Sequence, residues 1–142
     1  MGQVTSGWYS LRYPNAVAIV VSWSESLSGN NNTVTFSMTV KSKYRIAGSW
    51  KCGFVADGTD FGAPRVGIYH GSYGAGGETL VRSGMKKTFT YSGSKSITIT
   101  ASLPDMDYYD VDEGPGSSQV YHPKFTTTIA LKNNNTPPPT PS

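Results

Sequence analysis

The sharpest chemistry in this chain lies in one short segment, Asp105-Met-Asp-Tyr-Tyr-Asp-Val-Asp-Glu113. Its carboxylates, Asp105, Asp107, Asp110, Asp112 and Glu113, crowd hard oxygen ligands into what reads as a loop, and that suits Ca2+. The spacing departs from that of an EF-hand, because Tyr109 stands where the third ligand belongs and no glycine occupies the sixth position. The alternative is a solvated acidic loop that keeps the protein soluble and meets a basic patch on a neighbouring subunit. Beyond this possible Ca2+, no cofactor is expected.

Tyr108 and Tyr109 sit among those carboxylates, and Tyr69 and Tyr73 are near a glycine-rich loop, Gly71–Gly77, the first just before it and the second within it. Aromatic faces beside Asp and Asn hydrogen-bonding groups are what a carbohydrate site needs, and loops are where such sites lie. The four tyrosines are therefore candidate sugar-stacking residues. Tyrosines of this kind also pack over sheet edges or fill protein interfaces, where they are enriched.

Catalysis finds less support. Glu25, Asp57, Asp60 and Glu78 could supply carboxylates, and a glycosidase pair can be distant in sequence. No Ser/His/Asp motif, zinc signature, nucleophile elbow or phosphate-binding glycine loop is present, so no enzyme is expected. His70 and His122 are too far apart in sequence to form a local metal pair. Cys52 is the only cysteine, which rules out a disulfide within the chain. It shares a strand face with Trp50 and Phe54, and nothing nearby in sequence would lower its pKa, so a buried, inert thiol is expected.

Composition bounds the rest. The 142 residues suffice for one domain with its own core. Charged residues make up only 15%, too few for a disordered acidic chain or a coiled coil. Ten Lys/Arg against four Asp/Glu precede Pro104, and two against five follow, giving a basic body with an acidic loop. The basic residues are spread singly with no Arg-rich stripe, so no nucleic-acid partner is expected. The longest apolar run, Ala16–Val21, is far too short to cross a bilayer, and no signal peptide is visible, so no membrane insertion is expected.

The element that must position these residues is a long hairpin. Val34, Phe36, Met38 and Val40 alternate with Thr33, Thr35, Ser37, Thr39 and Lys41, the period-2 pattern of a half-buried strand. Ala16–Glu25 precedes it as an apolar strand, and Gly29-Asn-Asn-Asn32 can turn the chain between them. Further strands are expected over Val4–Tyr13, Ala47–Ala56, Arg65–His70, Glu78–Arg82, Lys86–Tyr91 and Val120–Leu131. Thr88–Leu103 reads as a second hairpin about Ser92-Gly93-Ser94. No window shows helical spacing. The fold class is therefore all-β, a single antiparallel β-sandwich of Ig-like or jelly-roll type with about eight strands, spanning residues 1–132. Residues 133–142, Asn-Asn-Asn-Thr-Pro-Pro-Pro-Thr-Pro-Ser, read as a Pro/Asn-rich linker or extended C-terminal arm.

Trp23-Ser-Glu-Ser, the Asn30–Thr33 tip, Thr33-Val-Thr-Phe-Ser-Met-Thr-Val40 and Lys87-Thr-Phe-Thr-Tyr-Ser-Gly-Ser-Lys-Ser-Ile-Thr-Ile-Thr-Ala101 together resemble the modules of bacteriophage minor structural and tail proteins. The resemblance covers Ala16–Ala101. It implies an Ig-like or carbohydrate-binding-like sandwich displayed on a virion, on head or tail, with other virion proteins or copies of itself as partners. The second implied function is a carbohydrate-binding module that captures host cell-surface glycans. The acidic loop and the Pro-rich tail depart from the resemblance, which therefore lends no support to a binding role for either.

Overall fold

A computed structural model describes residues 2–10, 16–43, 46–70, 76–106 and 122–134. The chain is all-β, as its periodicity requires. The central hairpin pairs β3 (Ala16–Ser28) with β4 (Asn31–Ser42), in a register from Val17↔Ser42 to Ser28↔Asn31. Gly29 turns the tip at φ 59°, a left-handed conformation that glycine adopts without strain. β1 (Gly2–Thr5) and β2 (Tyr9–Ser10) both pair with β3, and β9 (Gly77–Thr90) pairs with β4. These five strands form one antiparallel sheet.

The expected first strand, Val4–Tyr13, is divided in two. Between its halves, Ser6 donates its amide to the Ile19 carbonyl (2.9 Å), and its hydroxyl accepts from the Ile19 amide (2.8 Å). A side chain thus takes over the ladder for one step, and the edge bends there.

The second sheet is ordered β11 (Lys124–Ala130), β10 (Ser96–Ser102), β6 (Gly53–Ala56), β7 (Thr59–Asp60). Asp57 (φ 47°) and Gly58 (φ 82°) make the two-residue turn from β6 to β7, with both central residues left-handed as such tight hairpins demand. The two sheets face each other as a sandwich. The inward row of β4, Val34, Phe36, Met38 and Val40, is wholly buried against Phe54 and Ala56 of β6 and Ile97, Ile99 and Ala101 of β10. Phe36 and Phe54 meet across the interface with ring centroids 5.1 Å apart and planes tilted by 46°, a favourable aromatic geometry.

Three sequence expectations change here. Ala47–Ala56 is not one strand. It parts at Cys52 into β5 (Ile46–Lys51), which pairs with β8 (Arg65–His70) in a separate ribbon, and β6. The alternation carries Trp50, Cys52 and Phe54 inward across the break, so periodicity alone does not reveal it. Glu78–Arg82 and Lys86–Tyr91 belong to one bent strand, β9. Its register shifts opposite Phe36–Thr39, and Gly84 adopts φ 68° in the bulge. Thr88–Leu103 is not a hairpin, since β9 lies in the first sheet and β10 in the second. A polar glycine turn serves a crossover between layers as well as it serves a hairpin, and here Gly93 (φ 81°) makes the crossing.

The strand count rises from the expected eight to eleven among the described residues. The expected boundary after residue 132 also shifts. Asn134 is buried, its backbone exchanges 2.8 Å hydrogen bonds with Gly93, and its amide donates to the Gly29 carbonyl (2.9 Å). The sandwich therefore extends to Asn134, and the proline segment lies outside the described residues.

Two cations on β9 close the open side between the layers. Arg82 donates to the carbonyls of Cys52 (2.8 Å), Gly62 (3.0 Å) and Phe61 (2.7 Å). Lys87 reaches Thr59 Oγ1 (2.5 Å) and the Asp57 carbonyl (3.2 Å). These bonds tie β9 to the chain around β6 and β7, and the Gly62 carbonyl also accepts from the Phe54 amide (3.3 Å). Arg82→Met removes all three bonds; a hydrogen bond to a charged group contributes about 1.5–3 kcal/mol net where it is buried, and less at this partly exposed site, where water can reach the freed carbonyls. We expect urea unfolding to show a loss of about 2 kcal/mol for this variant. A loss indistinguishable from zero would mean that water replaces the guanidinium at no cost.

Candidate functional site

Of the residues that the sequence put forward for binding, two are described: Tyr69, which pairs with Ala47 on the β5–β8 ribbon, and Asp105, which bonds to its Lys51/Arg65 end and not to Tyr69. The ribbon's register pairs Ala47 with Tyr69, Ser49 with Gly67 and Lys51 with Arg65. These six residues form the outer face, while Ile46, Trp50, Ile68 and His70 are buried on the inner one.

Each face carries an aromatic ring that comes close to a glycine two residues earlier in its strand. On the inner face a Cβ at Gly48 would stand 2.8 Å from the Trp50 ring. On the outer face a Cβ at Gly67 would stand 2.8 Å from Cε2 of Tyr69. Glycine is required in both places because the ring occupies the space of a side chain. Trp50 is 2% exposed, and Tyr69 is 73% exposed.

Asp105 closes one end of this face. Its Oδ2 accepts from Arg65 Nη2 at 2.7 Å, and its Oδ1 accepts from the Lys51 amide at 2.8 Å. Arg65 also donates to the Ser49 carbonyl (2.9 Å). The side chains are 53% and 29% exposed, so screening holds this pair to at most about 1 kcal/mol. Asp105 thus spends both oxygens on fastening the end of β10's outgoing segment to the ribbon.

The other expected calcium ligands, Asp107, Asp110, Asp112 and Glu113, lie outside the described residues, as do Tyr73, Tyr108 and Tyr109. Among the described residues no group of three or more His, Cys, Asp or Glu side chains is close enough to share an ion. Glu25 acts as a clasp: its Oε1 accepts from Asn32 Nδ2 (2.8 Å) and the Lys132 amide (2.6 Å), and its Oε2 accepts from the Trp23 indole (3.3 Å).

Behind the outer face, the ribbon is fixed to the first sheet by a buried polar chain that the sequence did not suggest. His70 Nδ1 lies 2.6 Å from Ser42 Oγ, and Nε2 lies 2.7 Å from Thr79 Oγ1. The three residues are far apart in the sequence, and only the pairing of β4 with β9 brings Ser42 and Thr79 beside one histidine. The pairing of a serine with a histidine invites a nucleophilic reading. However, Ser42 is 6% exposed, and a threonine, not a carboxylate, orients the far nitrogen. Burial holds the His70 pKa below its usual value, with Glu78 pulling weakly the other way. A neutral imidazole then links three strands.

Cys52 is fully buried, and desolvation pushes its thiol up to about 11, with Arg82 partly offsetting the rise. It is a packing residue, as its strand position led us to expect. No helix among the described residues is long and apolar enough to cross a membrane.

Because the folded-state pKa of His70 lies below its unfolded value, the unfolded chain binds the extra proton first. Stability is then fully present above about pH 6.5 and falls as the pH drops through and below that value. The melting temperature of the native protein is expected to fall more steeply between pH 7 and 5 than that of His70→Gln. Parallel curves for the two proteins would exclude His70 as the cause.

No family model, curated protein or solved structure matches this chain.

Proposed function

We propose that this chain is a structural or decoration module of a bacteriophage virion, on head or tail, whose work is assembly. Packing against other virion proteins or copies of itself is its mechanism, and the virion is its location. The reading rests first on the resemblance carried by the Thr33–Val40 and Lys87–Ala101 strands.

The structural observation that supports it is Leu80. This residue lies on β9, an edge strand of the first sheet, paired with Thr39, and is 59% exposed. On the same face Ser22, Ser24, Thr35 and Ser37 line a shallow groove, Thr33 bonds to Thr88 (3.0 Å), and Lys41, Glu78 and Lys86 supply charge. A large apolar side chain held outward among polar neighbours is a contact residue in search of cover. Trp8 and Leu27, 46% and 42% exposed, add apolar surface elsewhere on the domain.

Assembly needs only rigidity and such contacts, both of which a two-layer sandwich supplies without moving parts. The test is to purify particles and locate the chain by electron microscopy. The reading requires it at fixed, symmetric positions, and Leu80→Asp should reduce its incorporation about tenfold or more, as loss of an interface anchor does. The isolated variant should melt where the native domain does, because Leu80 is largely in water already. Particles that contain no copy of the chain would overturn the reading, and so would full incorporation of the variant.

A further inference from the structure

We propose that the outward edge of β11 docks a second copy of this chain, the two β11 strands pairing antiparallel about a two-fold axis so that the second sheets of both copies run on into one. The inference rests on the assembly reading and names one partner for it.

The edge is defined by the backbone groups that β10 has already taken. The Leu131 amide donates to the Lys95 carbonyl (2.9 Å) and the Leu103 amide to the Pro123 carbonyl (2.8 Å), in the register that pairs Ile97 with Ile129 and Ala101 with Phe125. Phe125, Thr127 and Ile129 therefore turn their N–H and C=O groups toward β10, and Lys124, Thr126, Thr128 and Ala130 turn theirs away. The Lys124 carbonyl accepts from the Tyr9 hydroxyl (3.0 Å), and no described residue bonds to the other outward groups. The remaining edges of the two sheets are blunted. β7 has two residues, β9 is bent by its bulge at Gly84, and the β1–β2 edge breaks at Ser6. β11 runs for seven residues with no glycine, proline or register shift, and Pro123 and Lys124 guard only its start. An unprotected edge of that length is a template for another strand.

The residues along the edge select a second copy. Antiparallel pairing centred on Thr127 sets Thr126 against Thr128 of the copy and Lys124 against its Ala130, so outward amides face outward carbonyls and no lysine faces a lysine. Threonine hydroxyls meet on the outer face, a favourable cross-strand pair. On the inner face Phe125, half-buried at the margin of the core, comes against Ile129 of the copy, an aromatic and a β-branched side chain. Moving the centre to Thr128 sets Lys124 against Lys132 of the copy, and like charges directly opposite are unfavourable. The pairing uses each copy's edge once, so it closes at two. It makes roughly six backbone bonds and leaves the Tyr9 bond in place; at about one bond per 100–200 Å² the interface is about 600–1,200 Å², the range of weak association.

Sedimentation of the full chain from micromolar to millimolar concentration should show a monomer–dimer equilibrium and no larger species. Thr128→Pro deletes an outward N–H that β10 does not use, and proline is tolerated at a sheet edge in that orientation. It should weaken the dimer about tenfold or more while the melting temperature stays near the native one. Crosslinking reads the register. Thr127 meets Thr127 of the copy as a non-hydrogen-bonded pair, with Cα atoms about 4.5 Å apart and within reach of a disulfide. Thr127→Cys should therefore oxidise readily to a covalent dimer. Thr98→Cys, exposed on the same sheet but one strand in from the edge, should not, and Cys52 is fully buried in both variants' parent. Crosslinking also keeps the proposal testable if Thr128→Pro does not fold. The pairing is overturned by a monomer throughout the range, by a folded Thr128→Pro that dimerises like the native protein, or by equal crosslinking at the two positions. It is equally overturned if the edge takes a strand of a different virion protein while the copies stay monomeric. A monomer that still enters particles sinks the pairing alone, whereas a solution dimer absent from particles sinks the assembly reading and leaves the pairing standing.

Discussion

The inward face of β4 is the constraint on which the other strands depend. Val34, Phe36, Met38 and Val40 are completely excluded from water, and a strand so apolar on one side cannot fold alone. β3 and β9 cover its edges with backbone hydrogen bonds, but only a second layer can cover the face. Phe54, reaching from β6 to Phe36, supplies the centre of that layer, and Phe61 packs behind it at 6.0 Å. The chain must therefore leave the first sheet, build β6, return for β9, and leave again for β10. Crossovers follow from the need for two layers.

Crossing between layers strands backbone groups, and the protein meets that cost with side chains. Arg82 and Lys87 reach from β9 to carbonyls around β6 and β7. Glu25 and Asn134 do the same at the hairpin tip, where Glu25 receives the Lys132 amide and Asn134 binds Gly29 and Gly93. Among the described residues the exception is Asn32 Oδ1, which is buried without a hydrogen-bond partner, although its Nδ2 bonds to both Glu25 and Tyr91. Polar residues in this molecule do as much to join the layers as to keep the surface wet.

The ribbon is joined to the layers in the same way. β5 ends just before Cys52, and the ribbon it forms with β8 is held from behind by His70 and at one end by the Arg65–Asp105 pair. Fixed on the inner side, the ribbon can leave its outer face free. A ring on glycine is a core device, since it lets a large side chain lie flat within one strand. Trp50 uses it inward as a buried anchor, whereas the exposed Tyr69 meets Gly67 only with the edge of its ring.

By itself the sequence determined whatever depends on local period and residue type. Alternation over Thr33–Lys41 makes a half-buried strand in any context, and Gly29 and Asp57-Gly58 mark turns because few residues tolerate positive φ. Those signals were enough for the all-β class, the central hairpin, β8 and the buried Cys52. Only the tertiary structure decided which strands are partners, because hydrogen-bonding edges are chemically alike and the choice among them is made by burial across the whole domain. That is why Thr88–Leu103 reads as a hairpin and is a crossover, and why Ala47–Ala56 reads as one strand and is two. It is also why the pairing of Asp105 with Arg65, forty residues away, has no local signal. The Ser42–His70–Thr79 chain had no local signature at all, since its members meet only after β4, β8 and β9 have found their places.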